Sequence, residues 1–286
     1  MTTLQNKIDF TLIITATNAN PNGDPLNGNR PRENFEGHGE ISDVCIKRKI
    51  RNRLQDMGKK IFVQSDDRCD DSFGSLHDRA NGNSALKSIS NGKKTDREAY
   101  AKAACAEWID VRSFGQVFAF KGDEVSVGVR GPVSIQQAVS VSPVEIVDMQ
   151  ITKSVNSESG KEGKSSDTMG IKSRVVFGMY VINGSINCQL AEKTGFTEDD
   201  ADKIKEALKT LFENDSSAAR PEGSMEVCRL YWWKHAGKTS DNSSAKIHRS
   251  VHIKLKDGVS SPKSYQDYDI THDEIDGLKP EVIDLV

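Results

Sequence analysis

Lys47, Arg48 and Arg51 are the residues of this sequence whose types and spacing most readily do chemistry. The segment that carries them can be capped by Ser42 or Asp43, runs to about Met57 and stops at Gly58, with Ile46, Ile50, Leu54 and Met57 at helical spacing. At roughly 100° per residue, Lys47 and Arg51 stand one turn apart beside that apolar stripe, with Arg48 farther round. The expectation is a basic ridge at the edge of a buried helix face, facing either an anion or plain solvent. A second cationic group, Lys153, Lys161, Lys164, Lys172 and Arg174, outnumbers Glu158, Glu162 and Asp167 in one polar stretch and suits a surface that grips a partner.

Groups for covalent chemistry are harder to find. The sequence has no Walker loop, no GxGxxG after a strand, no HExxH and no GxSxG. Its six histidines, His38, His77, His235, His248, His252 and His272, are scattered. His248 and His252 fall in an alternating pattern, Ile247–Leu255, where a strand would point them the same way without focusing them on one ion, so neither a metal nor a cofactor is expected. An endoribonuclease using one histidine as general base remains the alternative, although nothing sets a partner beside any of them. Cys45, Cys69, Cys105, Cys188 and Cys228 are odd in number and never at CxxC spacing, which reads as reduced, mostly buried thiols.

These residues need elements to position them. Ile146–Ile182 reads as one long β-hairpin: Val147, Met149 and Ile151 alternate with Asp148, Gln150 and Thr152, and Val175, Phe177, Met179 and Val181 alternate with Arg174, Gly178 and Tyr180. Its tip, Ser154–Gly170, is too polar to offset its ordering entropy and should be mobile on its own. Ile8–Thr17 is apolar or β-branched almost throughout, hence a central strand. It runs into Asn18–Arg32, rich in Asn, Asp, Gly and Pro, a loop of the kind on which sites are built. Further on come a short strand Ile61–Gln64, an irregular stretch Ser65–Lys94, and a helix from a Thr95–Glu98 capping box to about Asp110. Strands Val111–Phe120 and Val125–Gln136 precede the hairpin, and Gly184–Leu190 continues it. Thr197 caps a helix burying Ala201, Ile204, Leu208, Leu211 and Phe212, and strands Met225–His235 and Ile247–Lys256 follow. Arg112–Phe120 is distantly like an RNA-recognition strand but departs from it at Ser113 and Gln116. The order suits an α+β sandwich of the ferredoxin or RNA-recognition kind, in one domain.

With 286 residues the chain can bury a sizeable core, and no apolar run approaches the roughly 18 to 20 residues of a membrane span. No apolar signal core opens it, so a cytoplasmic protein is expected. The net charge is −3 but the signs are segregated: Arg30–Lys60 holds nine basic against five acidic residues, Arg229–Lys256 seven against one, and Ser260–Val286 two against seven. Such a division fits a basic groove on an acidic body, or copies that stack head to tail.

Asn20-Pro-Asn-Gly-Asp-Pro-Leu-Asn-Gly-Asn-Arg-Pro-Arg32 after the first strand resembles the signature of the Cas-seven backbone subunits of CRISPR Cascade complexes, in their type I-C form. Arg112-Ser-Phe-Gly115, Arg130–Gln136, Ile151-Thr-Lys153, Met169-Gly-Ile-Lys172 and Phe177-Gly-Met-Tyr180 resemble the same family in the same order, up to about Leu190. The resemblance implies a right-hand shape: an RNA-recognition-like palm, fingers from an insertion at about 61–110, and the hairpin at about 149–175 as a thumb. It implies a non-catalytic subunit that polymerises along guide RNA, folds its thumb over a neighbour's RNA and leaves bases free to pair with target DNA, with other Cascade subunits capping the filament. On that reading Asn20, Asn22 and Arg30 line the groove with Lys47, Arg48 and Arg51, and Arg112 and Gln136 support it from the sheet. Lys153, Lys172 and Arg174 hold the thumb on the strand, with Met169 as the wedge that displaces a base. A carrier of varied guides has to hold phosphates and shape rather than base edges, which suits basic side chains and few aromatics.

Overall fold

Nine successive buried residues, Ile8–Ala16, make β1 (Ile8–Ala19) the middle of the fold, and the computed structural model, which describes residues 2–90, 96–120, 126–152 and 169–286, pairs it with a strand along each edge and covers it on both faces. Two short strands, β2 (Gly23–Asp24) and β3 (Arg30–Pro31), fold the following loop into a small hairpin, with Asn18, Gly28 and Asn29 at positive φ where Asn and Gly are the tolerant types. β4 (His38–Ile41) leads through Ser42 into α1 (Asp43–Asp56), whose cap, apolar stripe and stop at Gly58 fall where the sequence put them.

The stretch after α1 is more ordered than its composition suggested. Ser65–Lys94 contains α2 (Leu76–Gly82) and α3 (Ser84–Ser90), and Ile61–Gln64 is not a strand. α4 (Arg97–Glu107) is capped by Asp96, which accepts from the Glu98 and Ala99 amides; the expected cap Thr95 lies outside the described residues. Arg112 sits on α5 (Ile109–Phe114), and only Gly115 onward is strand: β5 (Gly115–Phe118), paired with β6 (Val127–Arg130). The strand reading of Val111–Phe120 therefore fails in its first half. Ile109, Asp110, Val111 and Ser113 are buried in this short helix, which follows Trp108. Phe62, Tyr100, Ala104, Trp108 and Phe118 give this part a hydrophobic cluster of its own.

β7 (Val133–Ile135) and β8 (Ala138–Pro143) return to the main sheet, and β9 (Ile146–Thr152) pairs with the outer part of β10 (Met169–Ile186) from Thr152↔Met169 to Ile146↔Val175. The expected hairpin stem is present; residues 153–168, which include Lys153 and most of the expected tip, lie outside the described residues. The expected continuation of the sheet from Gly184 is present as far as Ile186, and α6 (Cys188–Thr194) takes its place toward Leu190. α7 (Glu198–Lys209) begins on the Thr197 capping box, and β11 (Met225–Lys234) follows. Ile247–Lys256 divides into α8 (Ser244–Arg249) and β12 (Val251–Leu255), so His248 and His252 do not share a strand face. β13 (Tyr268–His272) pairs with β12, and β14 (Glu281–Asp284) with β11.

The main sheet is antiparallel in order β14-β11-β1-β10-β8-β4, with β7 and β9 also paired to β10. Phe10, Leu12, Ile14, Tyr180 and Ile182 point to one face, where Ile46, Ile50 and Leu54 of α1 and Ile204 and Leu208 of α7 cover them. Ile13, Phe177, Met179, Tyr231 and Trp233 point to the other, where Ile247 of α8 and Tyr268 of β13 cover them. A strand buried on both faces reads as a continuous apolar run, which is why β1 lacks alternation. Tyr180, on the opposite face of β10 from Phe177 and Met179, is fully buried as well. Among the described residues no helix is long and apolar enough to cross a membrane.

Candidate nucleic-acid interface

α1 has two cationic edges, and the structure uses them differently. On one edge Lys47 Nζ lies 2.9 Å from Asp43, one turn back. Arg51 Nε lies 3.0 Å from the buried Asp110 carboxylate, and its guanidinium stacks 5.0 Å from the Phe114 ring centre. Asp110 also accepts the Phe62 and Val63 amides at 2.8 and 3.1 Å. A carboxylate with no exposed surface needs a cation, and Arg51 supplies it, tying α5 and the Phe62–Val63 backbone to α1. The expected ridge of Lys47 and Arg51 is thus a structural edge.

The other edge, Cys45, Arg48, Lys49 and Asn52, follows i, i+3, i+4, i+7 and forms one wall of an open cleft of about 580 Å³. Ser65, Asp67 and Arg68 form a second wall, and Asn214–Ser217 with Arg220 a third. Four cations face two carboxylates here. Lys49 is buried against Asp215, and burial, partly offset by that carboxylate, draws its pKa down. Arg68 pairs with Asp56 at 2.7 Å, and Arg220 Nε lies 3.4 Å from Asp215. Arg48 donates to Val63 O at 2.6 Å and, among the described residues, has no carboxylate at ion-pair distance. Burial and the nearby Arg51 lower its pKa, and a guanidinium stays charged all the same. The cleft therefore presents cationic donors with spare capacity, a setting that holds anionic oxygens.

The Asn-rich loop edges this cleft but does not face it with its asparagines. Asn20 is buried, donating from Nδ2 to Asn29 O at 2.6 Å, and its backbone N–H reaches Ala219 O at 2.8 Å. Asn22 Oδ1 accepts the Ser42 amide at 2.9 Å. Both hold the loop on α1 and on the 214–220 segment, a positioning task in place of the expected lining one. Arg30 lies elsewhere, on Asp148 of β9 at 2.6 Å and near Glu33 at 3.7 Å.

Arg112 does not support the site from the sheet. Its guanidinium grips Asp200 at the start of α7 with bonds of 2.9 and 2.7 Å and donates to Cys105 O at 3.0 Å. Gln136 is exposed between β7 and β8, its amide bonded to Asn183 O at 2.8 Å. Lys172 and Arg174 pair with Met149 and Val147, so they stand on the face of the arm opposite Asp148 and Ser173. Met169 and Ile171 are exposed on the Asp148 face, and Ile151 on the other.

Sequence reasoning missed Lys49, Asn52, Arg68 and Arg220. Asn52 and Lys49 were findable, since they share the helical spacing of Arg48; Arg68 and Arg220 come from distant loops with no periodic signal. The histidines stay apart: His235 on Asp9 at 2.7 Å, His248 on Gly184 O at 3.1 Å, His252 on Asp273 at 2.9 Å and His38 on Ser140 O at 2.7 Å. Among the described residues no three His, Cys, Asp or Glu side chains are grouped to hold a metal.

The fold is a mixed α/β one, with a large antiparallel sheet and a cation-lined cleft beside α1. The family described as CRISPR-associated protein Cas7 matches residues 6–273, and the chain belongs to that family. A protein of Haloferax volcanii described as CRISPR-associated protein Cas7 is 25% identical over 253 residues, covering 81% of this chain and 70% of that protein. Among solved structures, a chain described as "CRISPR RNA-guided surveillance complex, pre-nicking" is similar at a TM-score of 0.46 and 14% identity, over 79% of this chain and 78% of that one. Another, described as "CRISPR RNA-guided surveillance complex", is similar at 0.44 and 15%, over 79% and 68%.

Proposed function

We propose that this chain is a non-catalytic, guide-RNA-binding backbone subunit of a type I-C Cascade complex, working in the cytosol. Copies line up head to tail along the guide, hold it by its phosphates and leave its bases to pair with target DNA, while other subunits cap the ends. The observation that carries the reading is the cleft beside α1, with Arg48 lacking a carboxylate partner among the described residues and Lys49, Arg68 and Arg220 around it. Membership of the Cas7 family supplies the context.

A ferredoxin-like palm is supported by the order β11-β1-β10-β8 with α1 and α7 on one face. On this reading the hydrophobic cluster around Phe62 and Trp108 belongs to the fingers and the β9–β10 arm to the thumb, with Lys153, Lys172 and Arg174 on the strand and Met169 as the wedge. The insertions stay at about 61–110 and about 149–175.

Binding of single-stranded RNA as a function of salt tests this. Each phosphate contact contributes about 0.7 to the log–log slope, so Arg48→Ala with Arg220→Ala should flatten it by about 1.4. An unchanged slope removes the cleft from the interface. Cleavage of repeat RNA that disappears with a single His→Ala change would favour the endoribonuclease instead.

A further inference from the structure

Among the described residues, Asn52 is the one polar residue on the α1 wall of the cleft whose side chain has no hydrogen-bond partner. Its neighbours on that wall are all engaged. Cys45 Sγ reaches Pro21 O at 3.8 Å, Arg48 donates to Val63 O at 2.6 Å, and Lys49 holds Asp215. The acceptors across the cleft are taken too: Asp215 by Lys49 and Arg220, and Asp67 by the Ser65 hydroxyl. Asn214 gives Nδ2 to Asp56 at 3.2 Å and its carbonyl to Arg68 at 2.6 Å. Asn52 Oδ1, by contrast, is shut off from solvent and meets no donor. A polar group left in that state costs free energy and calls for a physical reason.

The chemistry of the amide narrows what it could meet. Asn52 stands one turn along α1 from Arg48, about 6 Å in rise, on the same cleft wall. Held by packing alone, it can turn about its Cβ–Cγ bond without breaking a hydrogen bond. A phosphate only accepts, and the guanidiniums of Arg48 and Arg220 suit it better than a neutral amide does. An amide offers a donor and an acceptor together, so it matches a group that also does both. On a single strand held by its phosphates, with its bases turned away to pair, that group is the ribose 2′-hydroxyl, which DNA lacks.

We infer that Asn52 is the residue by which the cleft prefers RNA to DNA, its amide bonding the 2′-hydroxyl of a nucleotide whose phosphate Arg48 holds. The arginines supply affinity for any nucleic-acid strand, and Asn52 supplies the choice of sugar. The inference rests on the reading of the cleft as the RNA interface and adds the selectivity that phosphate contacts cannot give.

The test is equilibrium binding of the full chain to single-stranded RNA and to DNA of the same sequence, each short enough for one copy. Asn52→Ala deletes an amide that bonds nothing in the protein and puts a better helix former in α1, so the variant should fold, with a urea midpoint no lower than wild type. It should bind the RNA about two- to tenfold more weakly, the worth of one hydrogen bond, while its affinity for the DNA changes much less. The salt slope on RNA should stay put, since no phosphate contact is lost. An RNA-to-DNA affinity ratio that Asn52→Ala leaves unchanged overturns the contact. If Arg48→Ala with Arg220→Ala flattens the salt slope in that same case, the cleft remains the RNA interface and only the hydroxyl contact falls. A slope indifferent to both arginines overturns the interface and the contact with it.

Discussion

Arg30 joins Asp148 through one guanidinium nitrogen lying 2.7 and 2.6 Å from the two carboxylate oxygens, so the Asn-rich loop is fastened to the root of the β9–β10 arm. The Ser173 hydrogen bond first, and Arg30 after it, hold the Asp148 carboxyl below its ordinary range, so the tie is present above that range and is lost as pH falls through the lowered pKa. Arg30→Ala should speed amide exchange in β9 at neutral pH while the melting temperature of the protein stays put, because an exposed pair adds little to global stability. In the wild type the same acceleration should appear only below about pH 4. Equal exchange in both proteins at pH 7 would show that the pair does not restrain the arm.

The pair Arg51–Asp110 makes the opposite prediction. Arg51→Ala strands a fully buried carboxylate that also holds the Phe62 and Val63 amides, and losing one member of such a pair costs about 3–5 kcal/mol. Lys47→Ala removes only a half-exposed pair within one helix turn and should stay within about 0.5 kcal/mol of wild type. Urea unfolding checks both. Neither change should alter the salt dependence of RNA binding by the folded protein, in contrast to Arg48→Ala.

How far the sequence could be read follows from these examples. Ser42, Gly58 and the stripe Ile46, Ile50, Leu54 act through neighbours in the chain, so α1 was legible, with only the choice between Ser42 and Asp43 as cap and the last residue left open. β1 and the β9–β10 stem were legible for the same reason. The role of each α1 cation was not, because it depends on which distant acid reaches it: Asp110 takes Arg51 from 59 residues away and Asp215 takes Lys49 from 166. Arg112 was misplaced because the four helical residues Val111–Phe114 before Gly115 were read as strand, and its partner Asp200 is 88 residues on. Asn20 and Asn22 stood out in the sequence by type, but which backbone each would bond did not: Asn20 donates to Asn29 O within the loop and Asn22 accepts the Ser42 amide at the start of α1.

Asp9 sets the acid limb of stability. Burial pushes its carboxyl upward, but hydrogen bonds from His235, Ser244 and Lys7 outweigh that and hold it below its ordinary 3.8. A depressed folded pKa gives stability that is whole above the unfolded value and lost as pH falls through the folded one. The melting temperature should therefore drop below about pH 4, and more gently in Asp9→Asn, which starts lower at pH 7. Parallel acid limbs in the two proteins would clear Asp9 of this role.

Tyr180 carries a hydroxyl that no partner satisfies among the described residues, buried against the backbone of β4. Burial drives its pKa upward, so it stays neutral and costs desolvation without a bond in return. Removing an unsatisfied hydroxyl recovers about 1–3 kcal/mol, so Tyr180→Phe should raise stability. Gly39 explains why the ring fits: a Cβ there would meet Tyr180 Oη at 2.5 Å and two ring carbons at 3.0 Å. Gly39→Ala should destabilise, and destabilise less in the Tyr180→Phe background, because the nearest clash is with the atom that change deletes. The double-mutant cycle isolates that coupling, and strictly additive effects would mean the ring, not the hydroxyl, sets the requirement for glycine.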